Sequence, residues 1–140
     1  MNIRKLTILL LIVGIPASGC ASAPQQAIFE SQSSVQQRSY QSRVFETTDT
    51  TQTLRTLIAT MQDLGFVIDK ADATLGSVSA TKLDDYELRV TATVRRRGET
   101  QTLVRINAAW RDGAVTNPVM YQDFFVALEK AMFLTAQQVD

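Results

Sequence analysis

Three kinds of side chain in this sequence could do chemistry: one thiol, one run of guanidinium groups and a few neighbouring carboxylates. The thiol is Cys20, the only cysteine in 140 residues, so no disulfide can close within the chain. The guanidinium run is Arg95, Arg96 and Arg97. Such a cluster is either a solvated turn with solubilising charge or a contact for anionic lipid, lipopolysaccharide or an acidic partner surface, where each basic group near an anionic membrane adds about 1 kcal/mol. Asp84 and Asp85 adjoin, and Asp69 and Asp72 flank an expected turn. Paired carboxylates do acid–base work when their surroundings separate their pKa values. These adjoin lysines and turn positions instead, a pattern of surface caps or a weak calcium contact, with no EF-hand-like alternation. The sequence has no histidine, which removes the usual neutral-pH base and the commonest metal ligand. A serine nucleophile would need Lys70 or Lys82 as its base, and no SxxK spacing occurs. Lys82 reads more simply as a strand-end residue whose stem snorkels. The expectation is a protein with no catalytic residues, no cofactor and no metal.

Asn2, Arg4 and Lys5 make a short polar, positive beginning, and Leu6 to Ile15 is a run of about ten uncharged residues. That run is too short to cross a bilayer core of about 30 Å and fits a signal peptide over residues 1–19, to be left out of any fold argument. The residues Ala17, Ser18, Gly19 and Cys20 resemble a bacterial lipobox. The resemblance implies cleavage before Cys20, diacylation of its sulfur and acylation of the new N-terminus. Each buried CH₂ adds about 0.8 kcal/mol of membrane affinity, and several chains anchor stably where one does so marginally. The alternative is an ordinary secreted protein with a stray cysteine. Ala21 stands where an aspartate would imply inner-membrane retention in many enteric lipoproteins, so the resemblance points to the outer membrane, facing the periplasm.

Removing Arg4 and Lys5 from the 14 basic residues leaves 12 against 14 acidic ones. The mature chain therefore lacks the basic field with which nucleic-acid recognition begins. Residues 20–37 are rich in Ser, Gln and Ala and read as a lipidated N-terminus and flexible tether. Ile28, Phe29 and Val35 are isolated apolar residues there, incidental or part of a short docking segment. Residues 38–137 are expected to form a single α+β domain of about 100 residues with one modest core.

Within it, Tyr40, Ser42, Val44 and Phe45 predict a first strand. Asp49 is a suitable N-cap, with Gln52 placed to close a capping box. Leu54, Leu57, Ile58, Met61 and Leu64 recur at helical spacing, and Gly65 suits the left-handed residue after the helix end, so a helix is predicted over 50–64. Phe66 to Ile68 predicts a short strand, Asp69 to Thr74 a turn, and Leu75 to Thr81 another strand. Gly76 there suits a bulge or a close backbone contact. Tyr86, Leu88, Val90, Ala92 and Val94 alternate with polar residues, as do Val104, Ile106, Ala108 and Trp110, the period of a strand with one wet face. Facing Val94 with Val104 also faces Ala92 with Ile106, Val90 with Ala108 and Leu88 with Trp110. A slip of one residue would set Ala92 against Arg105, so the first register is expected, with a three-residue or bulged turn through Gly98, Glu99 and Thr100. It places Tyr86 and Trp110 on the core face. Asn117 and Pro118 predict the start of a last helix, whose apolar face is Tyr121, Phe124, Phe125, Leu128, Ala131 and Met132.

These elements predict one mostly antiparallel sheet of four to five strands with two helices on one face, in the order β-α-β-β-β-β-α. The layout resembles the helix-grip domains of lipoprotein component C of the outer-membrane β-barrel assembly machinery. Met61-Gln62-Asp63-Leu64-Gly65-Phe66, followed by Gly76 and Lys82, also resembles small Gram-negative lipoproteins of unassigned function. Both resemblances imply a cell-envelope setting and no chemistry. The expected role is a non-catalytic accessory or binding subunit of an envelope assembly or transport complex. Its contacts would be Arg95, Arg96 and Arg97 at the hairpin tip, with Arg89 and Arg105 on the outer sheet face. A different reading is an amphiphile held in a cleft between helices and sheet, lined by Leu57, Met61, Phe125 and Trp110.

Overall fold

The structure, a computed structural model, describes residues 34–84, 86–111 and 113–137. The leader, Cys20, Ile28, Phe29 and Asp85 lie outside the described residues. A short helix α1 (34–40) leads into strand β1 (Ser42–Phe45) and helix α2 (Thr50–Asp63). Strands β2 (Val67–Asp72), β3 (Ser77–Leu83), β4 (Glu87–Arg97), β5 (Gln101–Trp110) and β6 (Gly113–Ala114) follow, and helix α3 (Pro118–Gln137) ends the fold. All strand pairs are antiparallel, in the order β1-β5-β4-β3-β2, with β6 also on β5. The α+β class and the antiparallel sheet agree with expectation. The expected order β-α-β-β-β-β-α does not, because α1 and β6 are additional. Helix α1 spans the expected boundary between residues 37 and 38 and includes Tyr40, which therefore lies outside the first strand.

Helix α2 shows why this stretch starts and stops where it does. The Asp49 carboxylate accepts from the Gln52 amide at 2.8 Å, while the Asp49 amide donates to Thr47 Oγ1 rather than closing a reciprocal box with Gln52. At the other end Leu64 is the C-cap and Gly65 takes φ +84°. The Phe66 amide donates to the Met61 carbonyl and the Gly65 amide to that of Gln62, the bond pair of a Schellman motif. Leu54, Leu57 and Met61 are buried as the spacing predicts, and Thr53, Thr56 and Thr60 are buried beside them.

The β4–β5 pair has the expected register, with Val94 facing Val104, Ala92 facing Ile106, Val90 facing Ala108 and Leu88 facing Trp110. The turn is Gly98, Glu99 and Thr100, with φ +63° at the glycine. Strand β2 runs on to Asp72, because an irregularity at Asp69 absorbs one residue and pairing then resumes. Strand β3 correspondingly begins at Ser77 and extends past Lys82 to Leu83. Gly76 makes the close backbone contact: it has φ +57°, and a Cβ there would lie 2.5 Å from the Val94 carbonyl oxygen.

One face of the sheet carries Val78, Ala80, Leu88, Val90, Ala92, Val94, Val104 and Ile106 into a core shared with α2 and α3. The α3 residues Tyr121, Phe124, Phe125 and Leu128 are buried there as predicted. Asn117 accepts from the Val119 amide at 3.0 Å, capping α3. Tyr121 ties four segments of the chain together. Its hydroxyl donates to the Val115 carbonyl and accepts from Gln41 Nε2 and the Ala108 amide.

Candidate functional site

The five arginines singled out by sequence do not form one cluster. Residues of one strand alternate between faces, so Arg95 and Arg97 share the outer face while Arg96 shares the side of Val94. Arg96 pairs with Thr102, Arg95 with Leu103 and Arg97 with Gln101. Arg105 faces Thr93 across the same pair of strands, which makes it a diagonal neighbour of Arg95 at the about 7–8 Å of such positions. Arg89 is six residues along β4 from Arg95, about 20 Å away at a strand's rise. The partners differ as well. Arg89 is ion-paired with Glu87 at 2.6 Å, and Arg105 Nε donates to Ser42 Oγ at 3.3 Å. Among the described residues Arg95, Arg96 and Arg97 have no ion pair or side-chain hydrogen bond, and all three are exposed. The free positive charge of the hairpin is therefore concentrated at its turn.

Arg95 and Arg96 border a hollow of about 170 Å³ with Thr50, Thr51 and the β2–β3 turn. The α2 N-terminus beside it already has the Asp49 carboxylate as its cap. The outer sheet face spreads from there. It carries Ser77, Ser79, Thr81, Thr91, Thr93 and Asn107 between the arginines, and both long helices pack on the other face. Strands β1 and β2 are its edges, with β6 completing the β5 side. Arg43 of β1 points to the helix side, where its guanidinium lies 5.1 Å from the Phe125 ring centre and its Nε 3.1 Å from Glu129 of α3.

A larger hollow of about 250 Å³ opens at the opposite end of the sheet. Leu64 and Phe66 from the end of α2, Leu88 and Val90 from β4, Ile106 and Ala108 from β5, and Met120 and Phe124 from α3 give it hydrocarbon walls. Lys82, Tyr121 and Asp123 add the polar atoms. Helix-to-sheet space exists, then, but not where the sequence located it. Leu57, Met61 and Phe125 are fully buried in the packed core, and Trp110 borders a separate hollow with Glu87, Arg89, Ala109 and Arg111.

Tyr86 and Trp110 correct the sequence reading too. They were expected on the core face, yet Tyr86 is 77% and Trp110 39% exposed. Their rings meet edge-on, 6.5 Å apart. Alternation assigns a face and cannot say where the opposing layer ends. Leu83 and Val67 are exposed at the same end of the sheet, so this end presents several large apolar side chains among its charges, where the turn end carries the three unpaired arginines. The contact of Lys82 with Gly65 was not legible either: the lysine Cε would lie 3.6 Å from a Cβ on that glycine. Only the β3 register, which carries the strand through Lys82 to face Leu88, brings the two together.

Among the described residues no three His, Cys, Asp or Glu side chains gather as a metal would require, and no helix is long and apolar enough to cross a membrane. No protein-family model matches the chain, and no curated protein matches it.

Proposed function

We propose that the chain is a lipoprotein held in the outer membrane by acyl chains on Cys20 and facing the periplasm. Its domain serves there as a non-catalytic accessory or binding subunit of a cell-envelope assembly or transport complex. The observation that carries this reading is the asymmetry of the sheet: one face is filled by α2 and α3, and the other presents hydroxyls, Arg105 and the unpaired Arg95 and Arg97, with Arg96 beside them at the turn. A face rich in hydroxyls with cations at its turn end favours an acidic protein surface, whose approach the positive potential would steer. The edge position of β1 adds a second mode, in which an extended segment of the partner pairs along that edge. The resemblance to envelope lipoproteins and the Ala17-Ser18-Gly19-Cys20 sequence support the proposed location.

The test is covalent crosslinking in intact cells, followed by solubilisation and mass spectrometry of what the lipidated protein captures. A Cys20→Ser control separates specific capture from bulk membrane recovery, and its release from the membrane pellet checks the anchor independently. Recovery of one envelope complex, lost when Arg95, Arg96 and Arg97 are changed to glutamate, is the expected result. Recovery of the bait alone at verified native abundance would overturn the accessory-subunit reading.

A further inference from the structure

We propose that the hollow between the helices and the apolar end of the sheet is a binding site for a single-chain amphiphile with an anionic head. The chain would lie among Leu88, Val90, Ile106 and Phe124, and the head at Lys82. The walls are mostly hydrocarbon, so filling the hollow with an alkyl chain removes apolar surface from water on both partners. Its volume of about 250 Å³ falls just below the usual range of drug-sized sites, about 300–1,000 Å³, and suits one chain rather than two.

The polar groups narrow the head. The Tyr121 hydroxyl is already engaged by Val115, Gln41 and Ala108 and has little left to offer. Lys82 is half-buried, and among the described residues it has no ion pair or side-chain hydrogen bond. Its stem lies across Gly65 at the α2 C-terminus. The Met61 and Gln62 carbonyls there already accept from Phe66 and Gly65, so the ammonium is not required as a cap. A half-desolvated cation beside an apolar hollow is complementary to a carboxylate or phosphate on an alkyl chain. Asp123, on the opposite wall, is exposed and keeps its own hydration, which sets the anion on the Lys82 side. The hollow lies on the other side of the sheet from Arg95, Arg97 and Arg105 and at the other end of β4 from Arg96, so its occupancy and partner capture by the arginines are separable.

The test uses the mature chain, residues 20–140 with Cys20→Ser, handled without detergent. Dodecanoate and dodecanol are each titrated below the concentration at which they aggregate. Fluorescence of Trp110, the only tryptophan, and methyl NMR provide the readouts. Dodecanoate is expected to bind saturably at one site, shifting the methyls of Leu88, Val90, Ile106 and Met120, and dodecanol about tenfold more weakly. Lys82→Met keeps the stem and should bring the two within about twofold of each other. Met120→Trp should fill the hollow and weaken both; should it not fold, the wild-type methyl shifts decide the location. Absence of saturation, shifts away from the hollow, or a carboxylate preference that survives Lys82→Met would each overturn the proposal.

Discussion

At the turn end of the β4–β5 hairpin the β2–β3 turn closes directly on β4, with a hollow of about 170 Å³ beside it. Gly76 sets its backbone against Val94, whose amide donates to the Gly76 carbonyl at 2.8 Å, and α2 begins over the same place. At the other end Leu88, Val90, Ile106 and Ala108 carry the same alternation past the point where α2 stops, and they line a hollow. One strand pair therefore serves two kinds of surface. Where a helix and a glycine press against it, the strand itself leaves mainly charge outside. Where the helix has ended, the apolar side of the pleat borders a void, and the aromatic residues beyond it reach solvent.

The row between the two ends should matter most. Ala92 is fully buried between Val78 and Ile106, so Ala92→Glu places a carboxylate in hydrocarbon with nothing to pair it. The expected loss is more than about 3 kcal/mol, measured by denaturant unfolding, and both ends should loosen together. A melting curve like that of the parent would break the register on which the comparison stands.

Truncating one leucine from each environment sharpens the contrast. Leu57 is fully enclosed, and Leu57→Ala should cost about 3–4 kcal/mol, the transfer term plus a new cavity. Leu88 already borders an open hollow, so Leu88→Ala should cost only about 1–2 kcal/mol, mostly the transfer term. Equal losses would mean that the hollow is closed in solution. Gly76→Ala probes the tight end. Its φ of +57° and the 2.5 Å approach to the Val94 oxygen make a loss of about 2 kcal/mol the expected result, and a neutral effect would show that the turn can move away from β4.

Local and pairwise features were legible in the sequence. The cap at Asp49, the stop at Gly65 and the facing of Ala92 with Ile106 each follow from neighbouring residues or from a period of two that tolerates no slip. Features that depend on where one layer outlasts another were not. Tyr86 and Trp110 obey the alternation and are exposed nonetheless, because no helix covers the strand ends. The hollow and the Lys82–Gly65 contact arise from the same mismatch in length. Helix α1 was missed because residues 34–40 are mostly polar and show no apolar period. The arginines were found by type, but only the pairing separates Arg89, tied to Glu87, from the unpaired three at the turn.

The smallest stability effect should come from those three. Arg95, Arg96 and Arg97 are exposed, and among the described residues they hold no ion pair. Changing all three to glutamate should therefore shift unfolding by no more than about 0.5 kcal/mol, as for other surface changes. Binding should respond in the opposite proportion. Three cations that contribute almost nothing to folding keep their full charge for an approaching acidic surface, so reversal should slow capture steeply at low salt and less at high salt. The checks are a thermal melt and a crosslinking time course at two ionic strengths. Unchanged capture with an unchanged melt would reduce the basic end to a solvated turn, leaving the apolar end as the functional one.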